Sequence, residues 1–327
     1  MGSYFVRRIL YGVLILVGVN LATFFLFFTV NTPDDMARLN IGGKRVNQEV
    51  IDKWKAERGY DKPLWFNDKE TGTRQLTDTI FWDRSVSLFT LKFGRADSES
   101  AGDIGHEVLT RMGVSLRLAL PLFILQVVAS VAFSLELVLF RNTRFDVWGV
   151  VLCVVMLSIS SLFYIIVGQF LFSRVFKLAP ISGYSGGLDI VKFLALPIGL
   201  ALVSRLGPEA RLYRAMFLEE TGKDYVRTAR AQGLSETRVL FSHVLRNSLI
   251  PIITSAGGFL PYVFLGSLLF ESFFGLPGLG AYAIEAITKQ DFAIVRTMVF
   301  VGSLVYIATY VLIDVAYTWV DPRVRLT

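Results

Sequence analysis

Apolar residues gather along this chain in long runs broken by short polar stretches, rather than alternating with polar ones. A helix rises 1.5 Å per residue, so about 20 mainly apolar residues cross a hydrocarbon layer about 30 Å thick. Runs of that kind fall at 9–30, 114–140, 147–173, 191–206, 248–270 and 293–320. The first follows Arg7 and Arg8. It is too long for the apolar centre of a signal peptide and has no small-residue cleavage site after it, so it reads as a retained span. The fourth is short before Gly207-Pro208, and its helix is expected to continue through Leu218. The pattern predicts an all-α polytopic membrane protein with about six transmembrane helices. Its parts are an N-terminus and first span (1–30), an extracytoplasmic segment (31–111), a five-span core (112–320) and a short tail (321–327).

Six spans put both termini on one side, and the basic residues say which. Arg7 and Arg8, Arg141 and Arg144, Arg323 and Arg325, and a dense set from Arg205 to Arg246 all fall on the side of the termini. The short segments on the other side carry Arg174, Lys177, Lys192, Lys289 and Arg296 at or near their ends. Excess Lys and Arg marks the cytoplasmic side of short loops, and a loop as long as 31–111 crosses largely regardless of charge. Both termini are therefore expected in the cytoplasm.

Composition agrees with the pattern. Hydrophobic residues make up 53% of the 327 and charged residues 18%, with 27 Phe; a soluble fold of this size needs a more polar surface. One Cys, Cys153, excludes an internal disulfide framework, and two His, His106 and His243, make a His-rich metal centre improbable. The net charge of +6 follows from the cytoplasmic loops and does not call for nucleic acid.

Segment 31–111 places Trp54, Trp65 and Trp82 among charges, which argues for a small folded exterior domain. Val50, Ile51, Trp54 and Arg58 suggest a short helix ended by Gly59, followed by a turn at Asp61-Lys62-Pro63-Leu64 and an exposed insertion at 67–75. The aromatics are expected to pack rather than to meet a ligand. In the second span, Arg117 near the outer end and Glu136 near the inner are expected to snorkel or pair, Glu136 with Arg141 or Arg144.

The most informative stretch is DYVRTARAQGLSETRVLFSHVLRNSLIP, residues 224–251. Residues 224–232 read as a helix, and Gly233 fits the position after its end, where a left-handed backbone suits glycine. Ser235 is expected to cap a second helix with Glu236 in its first turn, and Leu234 and Val239 to form a hydrophobic staple. The residues alone leave two readings: an amphipathic linker on an anionic leaflet, or a docking element for another subunit.

Ala229-x-Ala231-x-Gly233, followed by Ser242-His243-Val244-Leu245-Arg246-Asn247 and Pro251, resembles the EAA loop of ABC importer permeases, in the form of the dipeptide/oligopeptide type. Other pieces match in order. They are Gly59-Tyr60-Asp61-Lys62-Pro63-Leu64, Pro180-Ile181-Ser182-Gly183-Tyr184, Leu196-Pro197, Arg211 and Arg214, Glu271, Pro277-Gly278-Leu279-Gly280, Asp291 and Asp321-Pro322-Arg323. The acidic residue that usually opens an EAA loop is replaced by Arg227 or Thr228.

The resemblance implies the architecture of a type I ABC importer permease and favours the docking reading. It implies a non-catalytic subunit in a bacterial-type inner membrane, paired with a second homologous permease. Two ATPase subunits or domains would bind ATP and Mg, and an extracytoplasmic binding protein would deliver peptides or peptide-like compounds. Carried onto this chain, 219–247 is the coupling loop. Asp224, Tyr225, Arg227, Ala229, Ala231 and Gly233 form its contact and turn, and His243, Arg246 and Asn247 brace it. Glu271, Phe274, Pro277 and Gly278 are assigned to an extracytoplasmic gate or to the side facing the binding protein, in a tight turn at 273–280 that could also be re-entrant.

The chain has no nucleotide or cofactor site of its own: Gly42-Gly43-Lys44-Arg45 and Gly222-Lys223-Asp224 lack the spacing that cradles phosphates. Nickel or another non-peptide cargo is the alternative within the family. A self-sufficient secondary transporter would need midplane acids on paired broken spans and an internal repeat, and only Asp314 lies deep in a late span.

Overall fold

In hydrocarbon every backbone N–H and C=O must find its partner within the protein, so long apolar runs fold as helices. The computed structural model describes residues 2–42, 46–98 and 102–320, and these are helical throughout apart from turns and one isolated bridge between Arg95 and Asp103. The tail 321–327, with Asp321, Pro322, Arg323 and Arg325, lies outside the described residues, as does Gly43-Lys44-Arg45.

The principal helices are α1 (Gly2–Val30), α2 (Pro33–Ile41), α3 (Gln48–Arg58), α4 (Ile104–Leu139), α5 (Arg144–Ser158), α6 (Ser161–Val175), α7 (Ile190–Thr221), α8 (Asp224–Ala231), α9 (Glu236–Leu265), α10 (Leu268–Phe274), α11 (Leu279–Thr288) and α12 (Phe292–Val320). Among the described residues α1, α4, α7, α9 and α12 are each long and apolar enough to cross a membrane, and α5 with α6 makes a sixth crossing if the bent pair is one span.

Two of the six expected spans are corrected. The third is not one straight helix over 147–173: it bends by 90° between α5 and α6. Ile159 and Ser160 are extended, and the Ser160 hydroxyl accepts the Phe163 N–H at 3.3 Å. A serine that caps a new helix competes with continuing the old one, and apolar neighbours on both sides hide that signal. The fifth is displaced from 248–270: α9 starts at Glu236 and ends at Leu265, where Gly266 takes φ +78. The fourth runs as expected past both Pro197 and Pro208 to Thr221.

The chain divides into two compact units: residues up to Gly113 with Leu279–Ala308, and Val114–Gly278 with the residues from Thr309 on. In the first, the segment between α1 and α4 packs on α1 through Phe24, Phe28, Met36, Ile51, Trp54 and Tyr60. The α3 helix ends at Gly59 in the left-handed region (φ +69), which turns Tyr60 back to stack on Trp54 with rings 5.6 Å apart. The Tyr60 hydroxyl donates to Asp97, and the Ala293 N–H reaches the same carboxylate at 3.1 Å. Lys62 holds Asp78 and Asp83 at 2.8 and 2.7 Å, while the Pro63 and Leu64 carbonyls accept the Ile80 and Phe81 N–H groups. The turn expected at 61–64 is thus a hub of the segment between α1 and α4. Trp54 is buried as expected, whereas Trp65 and Trp82 keep 47% and 42% of their surface.

The second unit is built on close helix approach. Gly149 faces Leu137, Gly168 faces Leu200, and Gly207 sits on the Cys153 backbone, so a Cβ at any of the three would overlap its neighbour. Small residues are how helices come together where lipid is as apolar as the side chains. One ion pair stitches α5 to α7: Arg214 Nε and Nη2 donate to the two Asp146 oxygens at 3.0 and 2.8 Å. Arg117 donates to the Tyr184 hydroxyl at 2.6 Å. Glu136 is exposed and, among the described residues, pairs with neither Arg141 nor Arg144.

Candidate functional site

Between α7 and α9 the chain forms a hairpin whose inner face is apolar and whose outer face is charged. Val226 and Ala229, three residues apart on α8, are buried against Tyr213 and Phe217 of α7, Leu135 and Val138 of α4 and Val239, Leu240 and Val244 of α9. That face holds α8 to the body of the unit. Asp224, Arg227, Thr228, Arg230 and Ala231 remain exposed on the other side.

The turn is a Schellman closure. Gly233 has φ +80, its N–H donates to the Arg230 carbonyl at 2.9 Å, and the Leu234 N–H donates to the Ala229 carbonyl at 3.4 Å. Across it Arg230 Nε and Nη2 donate to the two Glu236 oxygens at 2.8 and 3.2 Å. Helical spacing does not predict this bidentate clamp, although an Arg and a Glu flanking a glycine turn are visible in the sequence. Leu234 packs on the same core as Val239, as a staple requires. The expected role of Ser235 is corrected: its backbone carbonyl accepts the Val239 N–H, but its side chain makes no cap bond. Arg230 and Glu236 keep 41% and 54% of their surface, and exposed pairs contribute at most about 1 kcal/mol. A double-mutant cycle on R230A and E236A, read by thermal unfolding, is expected to give a coupling below that figure; about 2 kcal/mol or more would show a clamp with a larger structural role.

The remaining predicted residues separate. Tyr225 is half-buried, its hydroxyl donating to Glu220 at 3.0 Å; burial pushes the phenol up, with a hydrogen bond to Asn247 opposing. The Lys223 ammonium, held by the same Glu220, titrates above its ordinary value. Arg246 and Asn247 are exposed, His243 is half-buried, and the Asn247 amide donates to the His243 carbonyl on its own helix. Ala229, expected at the contact, is 3% exposed and packs into the chain's own core. Because α9 begins at Glu236, the second arm of the hairpin and the fifth span are one continuous helix.

The other predicted group lies around α10. Glu271 and Phe274 are 0% and 2% exposed and Gly278 is buried, so of the four only Pro277 reaches a surface. Ser115 Oγ donates to Glu271 Oε1 at 2.8 Å and the Ser267 N–H reaches the same oxygen at 3.2 Å. The Phe274 carbonyl accepts the Gly183 N–H at 2.9 Å, and Gln169 donates to the Phe273 carbonyl at 3.0 Å. Glu271, Phe274 and Gly278 therefore build the turn, and Pro277 is its exposed member.

Residues 126–326 match the family of the binding-protein-dependent transport system inner membrane component. The chain belongs to that family. Its residues 1–86 match the N-terminal region described for such membrane components. A Brucella abortus protein, provisionally named a peptide transport system permease, is 30% identical over 330 residues, covering 99% of both chains. The di/tripeptide transport system permease protein DppB of Pseudomonas aeruginosa is 29% identical across 99% of this chain and 98% of its own. The dipeptide transport system permease protein DppB of Bacillus subtilis is 29% identical across 73% and 77%. As a member, this chain is a multi-pass membrane permease component of an ABC transport system, and its described residues hold no cluster of three or more His, Cys, Asp or Glu arranged for a metal.

Proposed function

We propose that this chain is a permease subunit of an ATP-driven importer of peptides or peptide-like compounds, coupled to an ATPase through the hairpin of α8 and the start of α9. The observation that carries the reading is mechanical. The inner face of α8 is locked to α4, α7 and α9 by Val226 and Ala229, while Asp224, Arg227, Thr228 and Ala231 are exposed on the other side. A short helix held on a rigid turn and continuous through α9 with a membrane span can pass an ATPase's closure to the spans as rigid-body motion. The names of the relatives support peptide as cargo.

In this reading α8 lies in the cytoplasm with both termini, in accord with the Arg residues crowded between Arg205 and Arg246. ATP and Mg are bound by two partner ATPase subunits or domains, a second homologous permease completes the pathway, and an extracytoplasmic binding protein delivers cargo. A pull-down of the tagged chain in mild detergent, with mass spectrometry of what accompanies it, tests the assembly. The expected result is an ATPase and a second permease, the ATPase lost when Ala231 and Arg227 are replaced by tryptophan and glutamate. A chain that purifies alone and moves solute in proteoliposomes without ATP would falsify the reading.

A further inference from the structure

A cleft inside the membrane-spanning part of the second unit is apolar on most of its wall and carries three groups that lipid-facing helices avoid: Gln126 on α4, and Arg205 and Glu209 on α7. Ionisable side chains at membrane depth are costly and mark solute pathways by default. Gln126 is 4% exposed and Glu209 6%, so neither escapes to an aqueous surface.

The hydrogen bonding has a direction. Gln126 Nε2 donates to Ser130 Oγ at 3.0 Å, and Ser130 Oγ donates onward to Glu209 Oε2 at 3.3 Å. This relay uses up the Ser130 proton and leaves two acceptors, Gln126 Oε1 and Glu209 Oε1, buried without a hydrogen-bond partner. Buried acceptors left open in a low-dielectric pocket are complementary to a ligand that donates hydrogen bonds and carries positive charge. One helical turn away Arg205 lies over the Phe259 ring at 4.8 Å rather than pairing with Glu209. Its guanidinium is a set of donors facing the same cleft. Acceptors at one point and donors at another, between apolar walls such as Leu122, Pro197 and Val263, match the two ends of a zwitterion with a variable apolar middle.

We propose that this cleft is a membrane-embedded site for a short zwitterionic peptide, with Glu209 and Gln126 taking its ammonium group and Arg205 its carboxylate. The proposal rests on the peptide-import reading and adds where in the permease the cargo is held. It also explains why an open acid is kept: an unfilled polar site costs stability, so removing its charge should not harm the fold.

The test uses the complete transporter with its binding protein in proteoliposomes and radiolabelled dialanine as probe. It measures ATP-driven uptake, dialanine retained by vanadate-trapped complexes, and the thermal midpoint of the purified complex. E209Q is expected to lose at least tenfold in uptake and in retained dialanine at an equal or higher thermal midpoint, R205Q to lose retention likewise, and E209D to fall between. Wild-type uptake and retention in E209Q would overturn the inference, as would losses that merely follow a lowered midpoint. A wild-type transporter that moves no dipeptide would instead overturn the import reading, and this inference with it.

Discussion

Gly233→Val is expected to abolish most ATP-driven uptake per assembled transporter, the largest effect of any single substitution in the hairpin. The reason is backbone conformation and not space, since a Cβ at Gly233 would meet nothing within 4 Å. At φ +80 a β-branched residue costs about 1–3 kcal/mol. The closure it disturbs is small: two backbone hydrogen bonds and one exposed ion pair hold the turn. A loss of about 2 kcal/mol lowers the population of the formed turn roughly 30-fold, and α8 then no longer moves with α9. The series Gly233→Asn, Gly233→Ala, Gly233→Val should decline in that order, because Asn tolerates the left-handed region best. Uptake in proteoliposomes, normalised to ATPase recovered with the chain, gives the readout. Full uptake by the valine variant would remove the hairpin from the coupling route.

The second large effect is expected at Gly278, where the cost is steric. A Cβ there would overlap Glu271 Oε2 and Ser115 Oγ, and one at Gly266 would overlap Glu271 Oε1. The buried carboxylate thus sits between two glycines, and Gly278→Ala must push it off the Ser115 hydroxyl and the Ser267 N–H. Overpacking of a buried site costs about 1–3 kcal/mol, with more where a buried charged group loses a partner. G278A should therefore lower the thermal midpoint of the detergent-purified chain by several degrees. E271A should also lower it, by leaving a cavity and unpaired donors. The double variant should be less damaged than the sum, because the missing carboxylate leaves room for the new methyl. Additive losses, or a G278A midpoint equal to wild type, would show that Glu271 is not clamped as described.

Much of this is legible in the chain. The membrane helices follow from apolar runs, since run length against bilayer thickness leaves few alternatives. The turn of the hairpin follows from Gly233 among helix-forming residues, and the helix at α3 from its apolar positions and Gly59. Less legible are the bend at Ile159-Ser160, where a local serine cap outweighs a uniformly apolar context, and the end of α9 at Gly266, which lies inside a run that hydropathy treats as continuous. The Arg230–Glu236 clamp joins residues six apart across a turn, outside the three- and four-residue spacings by which a helical pattern is read.

By itself the sequence determined that this protein spans a membrane as a bundle of helices, that a structured hairpin interrupts them, and that its motifs are those of a transport permease. These are properties of run length, local backbone preference and order along the chain. Only the tertiary structure decided which face of each segment is spent on the protein's own packing. Ala229 turned inward and Ala231 outward on one helix; Glu271, Phe274 and Gly278 were drawn beneath the surface; and Gln126, Arg205 and Glu209, from two distant spans, were brought to one cleft. Burial and convergence depend on which helices meet, and that is settled by packing between residues far apart in the chain.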